Sequence, residues 1–278
     1  MPFLYSYRDT DIYTHHSLTT APGTDDFPMH AHEWMEILYF ISGKGTYLVE
    51  GHQYPLHPGD IFILRPAEMH KLDIDSSQPY ERIVIHFSPA LLESLDPEKK
   101  LLRPFYDRPL GQQNCYHIED DAHHLLQTAF KNFYFDNIAD VRMNLIGRLT
   151  MLLTAMNGIH ERSQTHAPID GLAGQLLAYV NEHLFESISI QTIADVFYRS
   201  PSQISRIFQQ ATGNSLWKYV TIKRLMAARE LIQRGQPASV AATACGFSEY
   251  SSFYRAYKSQ FGHSPKEDFV PQNTFDKK

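Results

Sequence analysis

The chain has 278 residues, which is long enough to bury a substantial core and to form two domains. With 43% hydrophobic and 20% charged residues, and no apolar run near the roughly 20 residues of a membrane helix, it reads as a soluble globular protein without a membrane partner. The start, MPFLYSYRDTD, carries acids where a signal peptide carries basic residues, and Cys115 and Cys245 are the only cysteines. These features predict a cytoplasmic protein without a disulfide framework or a thiolate metal site.

The charges divide unevenly along the chain. Residues 1–171 carry 13 Lys and Arg against 23 Asp and Glu, whereas residues 172–278 carry 12 against 8. A basic segment in an acidic protein indicates either a polyanionic partner or a solvated basic face, and charge alone does not separate the two. The histidines divide the opposite way, since only His183 and His263 lie beyond residue 171.

Short strand patterns follow one another between about Phe27 and Phe87. Apolar segments such as WMEILYFI, TYLVE and IFIL alternate with segments rich in Gly and Pro, such as SGKG and YPLHPGD. Closely spaced strands with such corners predict a sandwich or a small barrel.

Four side chains with ligand-binding chemistry occur in this region. HAHEWME contains His30, His32 and Glu36, and PGDIFILRPAEMH places His70 eleven residues after Gly59. His30 and His32 alternate onto one face of a strand, and His70 can come from a neighbouring strand. Two or three histidines with a carboxylate suit Zn, Mn, Fe or Ni, so one reading is a divalent metal held by His30, His32, Glu36 and His70.

A pocket for a small organic effector, lined by the same four residues, is the reading that we favour. Nearby aromatic residues would suit a sugar or another small metabolite, although core packing is the commoner role of any one of them. They are Trp34, Tyr39, Phe40, Tyr47, Tyr54 and Phe62. We expect surface or structural roles for His52, His57 and His86.

Two helices are predicted after the strands, at about Asp120–Phe135 and Ile138–His160. In the second, five residues form one apolar stripe: Val141, Leu145, Leu149, Leu152 and Leu153. Because of this stripe, the two helices are candidate homodimer contacts, with packing on the barrel as the alternative. The polar segment ERSQTHAPIDG, residues 161–171, is predicted to be a linker.

Everything after the linker is predicted to be helical, and one helix-turn-helix pattern occurs twice. In the first copy, SIQTIADVFY forms a short helix with Ala194 at the crossing point, and the next helix runs from the capping box of Ser200 and Gln203 to Gly213. The outward residues of that helix are Ser202, Gln203, Ser205 and Arg206.

The second copy comprises ASVAATACGF and SEYSSFYRAYKSQFG. Ala242 takes the place of Ala194, and Ser248 is predicted to cap the second helix. Its outward residues are Glu249, Tyr250, Ser251, Ser252, Tyr254 and Arg255. One continuous helix, SLWKYVTIKRLMAARELIQRG, joins the two copies.

Two such copies in one chain predict double-stranded DNA as a partner. A DNA-binding helix-turn-helix lays its second helix in the major groove, where polar side chains reach the base edges. Arg206 and Arg255 hold the same place in each copy, where an arginine can contact guanine or phosphate. The outward residues of both copies are therefore candidate DNA contacts, while a plain helical bundle remains the structural alternative.

Roughly Leu172 to Phe269 resembles the DNA-binding domain of the AraC/XylS family of bacterial transcription regulators. The matching segments are IADVFYRSPSQISRIFQQATGNS, RLMAARELI and CGFSEYSSFYRAYKSQFGHSP. The chain departs from the family pattern at Ala238 and Ala241, where larger aliphatic residues are usual, and at Asp268-Phe269, where an aromatic–arginine pair is usual. The spacing of the histidines and Glu36 resembles the two motifs of the cupin barrel and the sensor domain of AraC-type regulators.

The resulting prediction is an α+β fold of two domains. Residues 1–160 form a cupin-like β-barrel with two following helices, which senses a ligand and dimerises. Residues 172–278 form an all-α domain with two helix-turn-helix motifs. We expect a sequence-specific transcription regulator that answers to a small-molecule effector and works as a homodimer with RNA polymerase. Activation and repression are both open.

Two other functions compete with this prediction. A metal-dependent cupin enzyme would account for the histidines and Glu36, but it would leave the C-terminal hundred residues without a role. A constitutive DNA-binding protein, whose barrel only dimerises, would differ from the favoured function in lacking a response to any effector. We therefore expect no enzymatic activity.

Overall fold

A computed structural model describes residues 3–23, 26–92, 95–117, 129–130, 141–162 and 171–269. The chain divides into two compact units, Met1–Pro168 and Ile169–Lys278. The described part of the first unit is mainly antiparallel β-structure and that of the second is helical, so the predicted α+β fold class is confirmed. No helix among the described residues is long and apolar enough to cross a membrane.

The strands of the first unit form two antiparallel sheets. Their strands are β1 Phe3–Arg8, β2 Ile12–Thr19, β3 Met35–Ser42, β4 Gly45–Val49, β5 His52–Pro55, β6 Ile61–Leu64, β7 His70–Ile74, β8 Tyr80–Phe87 and β9 Cys115–Tyr116. One sheet has the order β1-β2-β8-β3-β6-β9 and the other the order β5-β4-β7. Apolar side chains from both sheets pack into one cluster, which we call the barrel interior.

Strand β3 shows how the sheet separates its two faces. Met35 and Ile37 pack into a core that is shared with helical segments, whereas Leu38 and Phe40 pack into the barrel interior. Because side chains alternate along a strand, Glu36 lies on the same face as Leu38 and Phe40. The sequence pattern of β3 therefore directs one carboxylate into the barrel interior.

Helical segments cover the outer face of the six-stranded sheet. After the 3₁₀ turns Pro89–Leu92 and Lys100–Leu102 come α1, Arg103–Tyr106, and α2, Val141–Arg162. The leucines of the predicted stripe in α2 are fully buried in the core that contains Met35 and Ile37. The outer sheet face is itself apolar and requires a cover. Of the two interpretations of the stripe, packing on the barrel is therefore the one that the structure shows, and these leucines are not the homodimer contact. The predicted helix Asp120–Phe135 lies mostly outside the described residues, which include only 129 and 130 of it.

The second unit contains six described helices. They are α3 Gly171–Glu182, α4 Ile190–Val196, α5 Pro201–Thr212, α6 Leu216–Gln233, α7 Ala238–Ala244 and α8 Tyr250–Phe261. The pairs α4–α5 and α7–α8 are the two predicted helix-turn-helix motifs, and α6 packs against α5, α7 and α8. The division between the two units falls within residues 161–171, of which residues 163–170 are outside the described part.

The helix ends test the predicted caps. The Gln203 backbone N–H donates to Ser200 Oγ at 3.3 Å, the Ser200 N–H donates to Gln203 Oε1 at 3.0 Å, and Gly213 has φ 68°, so the start and end of α5 are confirmed. The predicted Ser248 cap was wrong. The N-cap of α8 is Glu249, without a side-chain cap bond, because helical hydrogen bonding starts at the Glu249 carbonyl, which accepts from the N–H of Phe253.

Candidate functional site

Glu36 is the centre of a carboxylate–histidine cluster in the barrel. Its Oε2 atom accepts hydrogen bonds from His32 Nε2 at 2.7 Å and from His86 Nε2 at 3.1 Å, and its Oε1 atom accepts one from the Tyr47 hydroxyl at 3.1 Å. Burial works to raise the pKa of Glu36, but the bonds from the two histidines hold that pKa well below its usual value. The buried carboxylate is therefore ionised and acts only as an acceptor.

His70 reaches the cluster from β7 and brings a free lone pair. Its Nδ1 donates to the Glu68 carbonyl oxygen at 2.8 Å, which fixes the tautomer and leaves Nε2 as an acceptor. Nε2 lies 3.7 Å from Glu36 Oε2 and has no hydrogen-bond partner among the described residues. Burial lowers the pKa of His70 to about 3, so the ring is neutral at physiological pH.

His30 lies at the outer edge of the cluster. Its backbone forms an isolated bridge with His70, and the two rings are 4.2 Å apart between centroids. The His30 ring is also 5.9 Å from the ring of His32. All four residues singled out from the sequence, including Glu36, therefore lie together in one cluster.

His86 is the cluster residue that the sequence analysis missed. It was expected to have a surface or structural role, but β8 pairs with β3 so that His86 lies opposite Glu36. Its ring centroid is 5.0 Å from that of His32. Alternation in YERIVIHF places His86 on one face with Val84, but the strand pairing that brings it to Glu36 is not encoded locally.

The residues of the cluster fit a divalent metal ion. Two groups have ligand atoms within 4.8 Å of one another, namely His30–His32–His70 and His32–Glu36–His86. Imidazole and carboxylate together suit Zn, Mn, Fe or Ni, and the unpaired Nε2 of His70 offers a further ligand. A metal held there would supply a positive charge that anchors an anionic or hydroxylated ligand.

A second polar surface, which we call the polar wall, continues the barrel interior along β2 and β8. The cross-strand pairs that form it are His15–Val84, Ser17–Arg82 and Thr19–Tyr80. Val84 and Tyr80 belong to the interior cluster, so their partners in β2 face the interior as well. The polar wall was not predicted, because it depends on pairing between strands far apart in sequence.

The polar wall has hydrogen-bonding groups that other described residues do not satisfy. They are His15 Nδ1, Ser17 Oγ, Thr19 Oγ1 and Tyr80 Oη, all buried. Burial lowers the pKa of His15 to about 3, so its ring is neutral, and burial raises the pKa of Tyr80. The buried Arg82 guanidinium lies 4.4 Å from the centroid of the Tyr80 ring. The wall thus combines a permanent cation with groups that both donate and accept hydrogen bonds.

The second unit presents two exposed polar helix faces. In α5, Ile204 and Phe208 are buried, whereas the four predicted contacts, Ser202, Gln203, Ser205 and Arg206, are exposed. In α8, Phe253 and Tyr257 are buried. The six predicted contacts around α8, Glu249, Tyr250, Ser251, Ser252, Tyr254 and Arg255, are exposed.

Arg206 and Arg255 occupy equivalent places on these faces. Each stands two residues before a fully buried aromatic side chain, Phe208 or Tyr257, which anchors the opposite side of its helix. In the described part of the chain, neither guanidinium takes part in an ion pair. Both are therefore available to a phosphate or to a base edge.

Comparisons with known proteins agree with this division of the chain. A family model described as an AraC-like ligand binding domain matches residues 19–133, and one described as a helix-turn-helix domain matches residues 193–269. The fold and its two sites thus define a DNA-binding transcription regulator with a ligand-binding domain. The chain belongs to the AraC family, whose members are transcription regulators.

Relatives match across most of the chain. The HTH-type transcriptional activator RhaS of Enterobacter sp. (strain 638) is 24% identical over 250 residues, which cover 87% of each chain. RhaS of Escherichia coli is 25% identical over 247 residues, with the same coverage. Among solved structures, ToxT from Vibrio cholerae O395 matches with 12% identity and a TM-score of 0.38, covering 92% of this chain and 96% of ToxT.

Proposed function

We propose that this regulator controls transcription at specific DNA sequences in response to a hydroxylated small molecule, such as a sugar, bound in the barrel interior. The observation that carries the proposal is the polar wall beside the ionised Glu36. Hydroxyl groups of a ligand both donate and accept hydrogen bonds, as do the groups of the wall. Each bond formed would remove a cost of about 1–3 kcal/mol that an unsatisfied buried polar group carries.

The effector enters at the carboxylate–histidine cluster in this proposal. The side chains of His32 and His86 are each 18% exposed there, whereas Ser17, Thr19 and Tyr80 are closed off from solvent. Binding therefore requires the interior to open around the ligand. A ligand shifts the equilibrium between the closed and the opened interior only through its different affinity for the two forms. In this proposal the bonds between the ligand and the polar wall provide that difference and so produce the response.

The second unit supplies the DNA contacts. We assign them to the exposed faces of α5 and α8, which would enter successive major-groove segments about 10 base pairs apart. Arg206 and Arg255 would read guanine or hold phosphate. The functional domains that follow are residues 1–160 for sensing, 161–171 as linker and 172–278 for DNA binding.

We further propose that the chain acts in the cytoplasm as a homodimer, with RNA polymerase as its partner at the promoter. The relatives RhaS are transcriptional activators, which supports activation as the output. Because the leucine stripe of α2 is buried within the first unit, any contribution of α2 to a dimer comes from its exposed face. That face carries Met143 and Met151.

A metal ion in the carboxylate–histidine cluster is the second candidate occupant. The unpaired Nε2 of His70, 3.7 Å from Glu36, favours it. A metal bound there could anchor the effector, or it could serve a cupin enzyme. The exposed polar faces of α5 and α8 support the regulator over the enzyme, because a cupin enzyme would not use them.

The effector proposal is tested by measuring DNA binding of the full chain with a panel of sugars and related polyols. Selection of bound DNA from a random pool, with and without the panel, identifies both operator and effector. We expect Ser17→Ala and Glu36→Gln to keep DNA binding and lose the effector response. Ser77→Ala, which removes a hydroxyl from an exposed turn, is the matched control and should respond normally.

Elemental analysis of the same proteins separates the two occupants. About one metal equivalent per chain that disappears in Glu36→Gln and His70→Ala would favour the ion. A normal effector response in Ser17→Ala and Glu36→Gln, without any loss of metal, would make these residues structural and overturn the proposal.

A further inference from the structure

A second cluster of potential metal ligands lies where the turn before β6 meets the end of β9. We call it the edge cluster, and it consists of His57, Asp60 and His117, whose ligand atoms lie within 4.8 Å of one another. The Asp60 side chain is only 3% exposed, whereas those of His57 and His117 are 63% and 56% exposed. A buried carboxylate is therefore contacted by two imidazoles that face solvent.

The turn positions the Asp60 carboxylate by local hydrogen bonds. Asp60 Oδ2 accepts from the His57 backbone N–H at 2.8 Å, and the His57 carbonyl accepts from the Asp60 N–H at 3.0 Å. Gly59 has φ 96°, and its N–H donates to the Phe40 carbonyl at 2.9 Å, which ties the turn to β3. The carboxylate is thus held in place by the turn itself.

The two imidazoles approach different oxygens of this carboxylate. His117 Nδ1 lies 2.6 Å from Asp60 Oδ1, and His57 Nδ1 lies 3.5 Å from Asp60 Oδ2. The two rings are 5.4 Å apart between centroids, in a T-shaped arrangement. Capping the turn needs only Oδ2, so the turn does not account for the second oxygen or for two converging imidazoles.

We propose that the edge cluster binds one divalent transition metal ion, with Zn²⁺ the best match, through His57, Asp60 and His117. Zn²⁺ takes imidazole and carboxylate ligands at about 2.0–2.2 Å, and water can complete its tetrahedral shell. The ion replaces the proton that His117 Nδ1 and Asp60 Oδ1 share, and His117 then carries its proton on Nε2. The Cys115 thiol lies 4.0 Å from His117 Nε2, but the group whose ligand atoms all lie within 4.8 Å of one another consists of His57, Asp60 and His117.

Metal binding at the edge cluster would stabilise the pairing of the edge strand β9. β9 is only two residues long and pairs with β6 through Ile61–Tyr116 and Phe62–Cys115. His117 follows β9 directly, so an ion that joins it to the turn before β6 would close the pair at one end. We therefore expect Zn²⁺ to slow amide hydrogen exchange at Cys115 and Tyr116.

The test is a Zn²⁺ titration of the full chain against a chromogenic chelator, without DNA or effector. Removing a ligand should weaken binding by at least about tenfold. At a chelator concentration that the wild-type site just outcompetes, His57→Gln and His117→Gln should therefore each bind one equivalent fewer than the wild type. His52→Gln removes a nearby histidine outside the cluster and should keep that equivalent. The His57→Gln and His117→Gln variants change exposed side chains, and circular dichroism checks that all three variants fold.

Imidazole ¹⁵N spectra supply a second readout. Zn²⁺ should shift the ring nitrogens of His57 and His117 together, and amide exchange at β9 should slow in the wild type but not in His117→Gln. Equal stoichiometry in all variants, or shifts confined to the carboxylate–histidine cluster, would overturn the proposal. Because neither DNA nor effector enters the experiment, its outcome is independent of the proposed regulatory function.

Discussion

The two helix-turn-helix copies share one backbone plan. In each, a buried alanine, Ala194 or Ala242, is followed four residues later by a residue with a left-handed backbone. That residue is Tyr198 at φ 51° in the first copy and Gly246 at φ 78° in the second. The next N–H then donates to the alanine carbonyl at 3.0 Å in both copies. The turns therefore have equivalent hydrogen bonding although their sequences differ.

The copies differ in what stabilises that plan. Tyr198 is 88% exposed, and the first copy continues into the capping box of Ser200 and Gln203. In the second copy, a Cβ atom on Gly246 would lie 2.6 Å from the Phe185 carbonyl oxygen, and α8 begins without a side-chain cap. The first copy is thus stabilised by local hydrogen bonds, and the second by contacts with the rest of its unit.

The largest expected effect is that of Gly246→Ala. The left-handed backbone costs an alanine about 1–2 kcal/mol, and the overlap with the Phe185 backbone adds a cost of similar size, so we expect the unfolding free energy to fall by about 2–4 kcal/mol. Tyr198→Ala, at the equivalent exposed position, should change it by less than about 0.5 kcal/mol. Native-state hydrogen exchange of α7 amides measures the unfolding free energy of the second unit in each variant. Equal losses in both variants would contradict the contrast between the copies.

Arg224→Lys should have the next largest effect. The guanidinium donates to three carbonyl oxygens, those of Leu184 at 2.7 Å, Gly246 at 2.6 Å and Glu186 at 2.7 Å. The lysine amine cannot reach all three carbonyls in the geometry of the planar guanidinium. We therefore expect the unfolding free energy to fall by about 1.5–3 kcal/mol, detected by the same exchange measurement.

Arg234→Lys is the matched control for that substitution. Arg234 pairs with Glu230 on an exposed helix surface, so the loss should stay below about 0.5 kcal/mol. If Arg224→Lys were equally mild, the second turn would not depend on this arginine.

Locally encoded features could be predicted from the sequence. The capping box at Ser200 and the left-handed Gly213 depend on residues within one or two turns of each other, and both were found. The Ser248 cap failed because the second turn has one more residue between the left-handed residue and the N-cap. Glu249 follows Gly246 by three positions, whereas Ser200 follows Tyr198 by two.

Features that depend on strand pairing could not be predicted. His86 reaches Glu36, and Ser17 faces the barrel interior, only because β8 lies between β2 and β3. The direction of the leucine stripe in α2 was ambiguous for a similar reason. An apolar stripe that contains Leu145 looks the same whether it covers a sheet or a partner chain, and only the packed core decides.

The proposed DNA contacts extend the comparison to function. Arg206→Ala and Arg255→Ala should each weaken specific binding by about 1–3 kcal/mol and relax the sequence preference at different subsites. Binding-site selection with each variant locates the affected base pairs, which should lie about 10 base pairs apart. Lys258→Ala removes an exposed charge from α8 and should weaken binding to all sequences alike. Identical losses of preference for the two arginine variants would contradict two separate reading helices.

The smallest effects concern the helix starts. Ser200→Ala removes an N-cap and should cost about 1 kcal/mol, because the Gln203 N–H loses its acceptor. Glu249→Ser adds a capping hydroxyl to α8, but it also removes a carboxylate that stabilises the positive end of the helix dipole by about 0.3–1 kcal/mol. The two terms nearly cancel, so we expect a gain below about 0.5 kcal/mol. Hydrogen exchange of α5 and α8 amides without DNA measures both changes. A loss of 1 kcal/mol or more for Glu249→Ser would mean that Glu249 already stabilises α8 as strongly as Ser200 stabilises α5, and the two copies would then not differ in local encoding.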